Sequence, residues 1–186
     1  MPAFFLTMMA CLVITLGGRE QVRTARLAAG LGKSAILLVI VWVCAIATSA
    51  IAAWVATLMA PLMPGQAKQM FVAIALLLSA AELAFLRAGP APKEPTRSAG
   101  AIGIVMFAAQ LTDATRFLVM ALTLQTGEPV LAAAGSAFGS GLALTLALLA
   151  ASEWEARVPQ RLLSYLAAGV LASIAVVMGL SARGII

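Results

Sequence analysis

Residues 109–116 read Ala109-Gln110-Leu111-Thr112-Asp113-Ala114-Thr115-Arg116, placing a carboxylate, an amide, two hydroxyls and a guanidinium inside a long apolar run. A charged side chain at the centre of a membrane helix costs about 2.5 to 3.5 kcal/mol even on the lenient insertion scale. Asp113 is therefore expected to face a bundle interior, a charged partner or a water-filled path. The chain holds a second stretch of this kind, Thr15-Leu16-Gly17-Gly18-Arg19-Glu20-Gln21. A constant shift that lays Gln110 on Thr15 also lays Leu122 on Leu27, Gly127 on Gly32 and Pro159 on Pro64. The pattern is that of a duplicated unit whose first helix carries a polar kink in each copy.

The elements that position these groups follow from composition. The 186 residues are 63% hydrophobic and 10% charged, with a mean hydropathy of +1.06. A soluble globule of this composition has too little polar surface to cover its core, so the bilayer is the expected solvent. One span takes roughly 20 apolar residues, and the chain has room for six with short connections. The expected fold is all-α and polytopic. With no His, and with Cys11 and Cys44 both inside apolar runs, zinc, haem and disulfide frameworks are not expected. No cofactor is expected, and neither a phosphate loop nor a nucleophile–base context points to an enzyme. The sequence pI near 10.0 is read as topology signals, not nucleic-acid binding.

In chain order the expected spans are residues 2–18, bent at Gly17-Gly18 with a polar continuation toward Gly30, then 33–58, 68–86, 100–124, 129–151 and 161–181. The first run is kept as a span and not as a signal peptide, because it lacks a basic leader and its counterpart lies in mid-chain. Glu82, near the far end of the third span, is expected at an interface or paired with Arg87. The clusters Glu153-Trp154-Glu155 and Glu128-Pro129 are read as interfacial, with Trp154 as an anchor. Small residues on span five, Gly135, Ser136, Gly139, Ser140 and Gly141, and on span two, Cys44, Ala45, Thr48, Ser49 and Ala52, are read as helix-packing stripes; they leave contacts between protomers, a homo-oligomer, open as well. Residues 87–99, rich in Pro and charge, form a linker between units 1–86 and 100–186. Lys33, Arg87, Lys93, Arg97, Arg157 and Arg161 fall on the linker's side and Lys68 and Arg183 on the other, so the linker is expected in the cytoplasm and both termini outside. The expected location is a bacterial inner (plasma) membrane. Three spans per copy make the two units inverted repeats, an arrangement whose substrate sites lie where broken helices meet.

With these features the chain resembles the Gdt family, Golgi-type manganese/calcium-proton exchangers whose signature, Glu-x-Gly-Asp-[Lys/Arg]-[Thr/Ser] usually followed by Gln, occurs once per repeat. In the first copy Thr15 stands at the Glu position, Gly17 is kept, Gly18 stands for the Asp, Arg19 keeps the basic residue, Glu20 stands for the Thr or Ser, and Gln21 is kept. In the second, Gln110 stands for the Glu, Thr112 for the Gly, Asp113 and Thr115 are kept, Ala114 replaces the basic residue and Arg116 the Gln. One of the four signature carboxylates survives. The resemblance implies exchange of a divalent cation for protons across the lipid bilayer, with the two signatures meeting as a shared site.

Hard divalent cations take several oxygen ligands with enough negative charge to offset dehydration. Under the resemblance the candidate metal ligands are Asp113, Gln110, Thr15 and Glu20, and the substrate or proton path adds Thr112, Thr115, Gln21, Arg19 and Arg116. If Arg19, Arg23 and Arg116 point into the cavity, they repel a bare divalent ion. If they point to the cytoplasmic surface, Asp113 and Glu20 remain as a two-carboxylate site. Three readings stay open: cation–proton antiport at an altered site, transport of a different solute such as an anion or amino acid, and a non-transporting protein in which Asp113 with an Arg is a structural pair.

Overall fold

A computed structural model describes residues 1–32, 34–89, 98–154 and 158–185. Lys33, Lys93, Arg97, Glu155 and Arg157, and with them most of the expected linker, lie outside the described residues. Among those described the chain forms eight α-helices: α1 (Pro2–Gly17), α2 (Arg19–Leu31), α3 (Ala35–Met59), α4 (Gly65–Phe85), α5 (Ala99–Leu111), α6 (Ala114–Thr126), α7 (Pro129–Ala150) and α8 (Gln160–Ala182). Four of them, α3, α4, α7 and α8, are long and apolar enough to cross a membrane. The pairs α1–α2 and α5–α6 bring the number to six when each is taken as one broken span, bent by 64° and 53°. The protein is an all-α polytopic membrane protein, and the order of broken helix, long helix, long helix occurs twice along it.

Both breaks have local causes. At the first, Gly17 and Gly18 each weaken a helix, and Gly18 is extended at φ −80°, ψ 157°. Gly17 is also where α8 crosses: a Cβ there meets the Ser164 backbone at 3.1–3.2 Å, and Ser164 Oγ donates to the Gly17 carbonyl at 2.5 Å. At the second, Asp113 leaves the helical region (φ −86°, ψ 151°) and caps α6 with its carboxylate. The expected span over 100–124, with its polar kink, is thus two helices, since Asp113 competes for backbone N–H groups as helix-capping residues do. Gly32 and Gly127, equivalent under the repeat, both turn the chain at positive φ, 84° and 69°.

The small-residue stripe on α7 sets how closely the bundle closes. A Cβ on Gly135 or Gly139 meets the carbonyl of Phe4 or Met8 on α1, and one on Gly141 meets the Trp42 ring at 2.9 Å. α7 therefore packs against α1 on one side and α3 on the other. Polarity is distributed as a lipid solvent requires. On α3, Thr48 and Ser49 are buried while Val39, Val43, Ile46 and Trp54 stand more than half exposed. Trp154 departs from the expected interfacial anchor: it is buried between Ala25 of α2 and Ala147 of α7, because the turn after α7 folds back onto α2.

Candidate functional site

The two breaks meet inside the bundle. Thr15, on the last turn of α1, and Thr115, on the first turn of α6, place their hydroxyls 3.3 Å apart. Asp113 accepts from the Thr115 hydroxyl at 2.7 Å and from its backbone N–H at 3.2 Å. A carboxylate at this position complements the positive end of α6. At the equivalent break Gly18 has no side chain to offer, and Glu20 brings the negative charge to the first turn of α2.

Glu20 is buried and donor-paired, receiving Arg23 Nη1 at 2.6 Å. Glu82 of α4 is buried as well, with its Oε1 at 2.9 Å from Arg19 Nε. The expected interfacial position or Arg87 partner for Glu82 is thereby corrected: the first turn of α2 leans toward α4 and supplies Arg19 instead. The same guanidinium donates from Nη2 to the Thr112 carbonyl at 3.1 Å, joining the first break to the second. Asp113 lies within electrostatic reach of both Glu20 and Glu82. Three buried carboxylates from α2, α4 and α6 thus share one region with three arginines. Among the described residues no group of three or more His, Cys, Asp or Glu side chains converges closely enough to hold a metal ion.

Arg116 points inward. Only 3% exposed, it donates to the hydroxyls of Ser49 on α3 and of Ser136 and Ser140 on α7. Ser49 in turn donates to Ser136 at 3.0 Å. Among the described residues Arg116 makes no ion pair, although Asp113 and Glu20 lie within electrostatic reach. The three arginines therefore take neither of the two uniform orientations: Arg19 and Arg23 are held by carboxylates at the breaks, and Arg116 occupies the bundle interior.

The remaining candidates separate. Gln110 is buried on α5, its Oε1 at 3.5 Å from the Thr48 hydroxyl and its Nε2 without a partner. Gln21, equivalent to Arg116 in the repeat, donates to the Ala143 carbonyl of α7 at 2.8 Å. Thr112 turns its hydroxyl back to the carbonyls of Ala108 and Ala109, so only its backbone faces the junction. Glu20 Oε2, Gln21 Oε1, Gln110 Nε2 and Arg116 Nε are buried with no hydrogen-bond partner among the described residues. Buried polar atoms are normally satisfied, so these are the atoms with capacity left for water or a solute.

Two sets of residues were missed from the sequence. Glu82 carried the same signal as Asp113, an acid within an apolar run, but its place near a helix end made an interfacial reading natural. Ser49, Ser136 and Ser140 were read as packing residues; they also form the hydroxyl cradle for Arg116, which required knowing that α3 and α7 face α6.

No curated protein and no solved structure matches the chain. Residues 99–185, which include Gln110, Asp113 and Arg116, match the family model described as divalent cation/proton antiporter GDT1, so the second half of the chain is similar to that family.

Proposed function

We propose that this protein is a proton-coupled antiporter of a divalent cation, manganese or calcium, working through an altered ion site. The reading takes residues 1–86 and 100–186 as inverted three-helix repeats, joined by a cytoplasmic linker and set in a bacterial inner membrane. The observation that carries it is the junction of the two helix breaks, where buried Glu20, Glu82 and Asp113 lie within electrostatic reach of one another. Acids clustered at membrane depth are expensive and mark ion or proton paths, and broken helices meeting near the midplane are the usual location of such sites.

The charges define what a cycle has to do. Three carboxylates face Arg19, Arg23 and Arg116, so the resting region is close to neutral and a divalent ion adds charge that something must offset. Arg23 is 36% exposed and Arg19 16%, so both can withdraw toward solvent and release Glu20 and Glu82 to the ion. In the opposite half-cycle, protons on the carboxylates replace the ion. Thr15, Thr115 and Gln110 supply neutral oxygens. The test is manganese and calcium flux in proteoliposomes under an imposed pH gradient, comparing the natural chain with Asp113→Asn. Proton-coupled flux that vanishes in the variant is expected; no flux from well-folded natural protein overturns the reading.

Arg116 favours a second reading. A buried guanidinium held by three neutral hydroxyls and no carboxylate is suited to an anionic or zwitterionic solute such as an amino acid. On that reading Arg116→Gln abolishes uptake of the solute and divalent-cation flux is absent throughout.

A further inference from the structure

A second polar region lies at the end of the bundle where α2, α4 and α8 converge, beside the first helix break. A cavity of about 250 Å³ there is lined by Arg19, Arg26, Arg87 and Arg161 together with Gln160 and Tyr165, and no carboxylate lines it among the described residues. Arg19 is already held by Glu82 and the Thr112 carbonyl, and Arg26 donates to the Gly89 carbonyl at 2.5 Å. Arg87 and Arg161, both exposed, have no ion-pair or hydrogen-bond partner among the described residues. Gln160 Nε2, buried on the cavity wall, also has no acceptor. Arg87, Arg161 and Gln160 are thus donors and positive charge without an anionic partner among the described residues.

The neighbouring surface indicates what carries the anion. A groove of about 700 Å³ runs between α1, α4, α6 and α8 and is apolar except for Gln125. It begins one turn from the basic cavity: Ile14 and Leu163 line the groove, and Gly17 and Ser164 line the cavity. Leu6, Met9, Val13, Leu166 and Val170 line the groove with more than half of their surface exposed, and no charged side chain lines it among the described residues. A phosphate with two positive neighbours at one end and an alkyl chain along the other is the chemistry of an anionic phospholipid. A soluble phosphate uses only the first part.

We propose that Arg87, Arg161 and Gln160 form the headgroup pocket of a bound anionic phospholipid whose acyl chain lies in the groove between α1, α4, α6 and α8. Choline headgroups, with their own positive charge, are disfavoured by the same arginines.

The test uses the full chain in detergent, with lipid retention read by native mass spectrometry and thermal unfolding read in parallel. The probes are dioleoylphosphatidylglycerol, dioleoylphosphatidylcholine and inorganic phosphate, and the variant is R87Q/R161Q, with K68Q/R183Q as a charge-matched control at the other end. Phosphatidylglycerol is expected to bind in preference to phosphatidylcholine and to raise the unfolding midpoint. Each basic residue near a membrane surface contributes roughly fivefold to binding an anionic lipid, so R87Q/R161Q is expected to weaken it roughly 25-fold, while K68Q/R183Q leaves it unchanged. Equal binding of phosphatidylglycerol by R87Q/R161Q, or loss in both double variants, overturns the proposal. So does inorganic phosphate stabilising the natural chain as much as the lipid does, which would mark a soluble-anion site.

Discussion

Asp113 does two jobs that pull in different directions. As the cap of α6 it accepts two hydrogen bonds from Thr115, and removing a helix cap costs about 0.5 to 2 kcal/mol; under the proposed antiport it is also the carboxylate that takes the ion or proton. Asparagine caps almost as well as aspartate, which makes Asp113→Asn a clean separation: folding is expected to survive it and flux is not. Glu82 belongs to the same set although it lies outside either signature. Glu82→Gln is expected to lower proton-coupled manganese or calcium flux tenfold or more, roughly what losing one buried charge-assisted contact brings, whereas Arg23→Gln, which removes the counter-charge from Glu20, retains it. Initial rates in proteoliposomes check both; unimpaired flux in Glu82→Gln returns Glu82 to a purely structural pair with Arg19. Arg116→Gln separates the transport readings: it is expected to spare cation flux if the ion passes through the carboxylates, and to abolish uptake if the cargo is an anion or amino acid held by the guanidinium.

The helices explain why these side chains can approach one another. α7 presents Gly135 and Gly139 to the α1 backbone at Phe4, Met8 and Leu12 with no room for a methyl group, and this contact fixes the part of α1 that leads into the turn carrying Thr15. Gly139→Val forces the two backbones apart, and overpacking of this kind costs typically about 1 to 3 kcal/mol. A lowered thermal midpoint in detergent is expected, together with lost flux, while Gly169→Ala on α8, where nothing lies within 4 Å, does not lower the midpoint, since Ala is the better helix former. A midpoint unaffected by Gly139→Val is incompatible with the α1–α7 contact. Gln21 is the weaker clasp. Its single bond to the Ala143 carbonyl is of the interhelical type that averages about 0.6 kcal/mol in membrane proteins, so Gln21→Leu is expected to shift the midpoint far less than Gly139→Val does.

At the scale of the whole molecule the distribution of basic residues predicts an orientation that can be read directly. Cys11 and Cys44 are both buried, so the natural chain is expected to label poorly with a membrane-impermeant maleimide. Gly89→Cys, at the start of the linker, is expected to label from the cytoplasmic side, and the exposed Gln66→Cys, on the first turn of α4, from the opposite side. Labelling of both from one side overturns the proposed inverted arrangement of the two halves. Trp154 bears on the same geometry, since its burial against α2 and α7 ties the turn after α7 to the first half of the chain.

Much of this architecture was legible without coordinates, for reasons of solvent and spacing. Apolar runs long enough to cross a bilayer have few alternatives there, because backbone polar groups must be satisfied within the segment; this fixes an all-α membrane protein from hydropathy alone. The equivalence of Thr15 with Gln110 and of Gly32 with Gly127 located both kinked helices, and paired glycines or a capping acid inside an apolar run are local signals that need no tertiary context. The sequence could not say where long side chains end. Arg19, Arg23 and Arg116 are chemically alike and close in the repeat, yet one reaches Glu82, one Glu20 and one a set of serines. That choice depends on which helices lie opposite α2 and α6, and a guanidinium on a flexible stem goes to whichever partner the packing brings within reach. The pairing of Glu82 across helices, the serine cradle and the arginine-lined cavity are consequently properties of the tertiary structure.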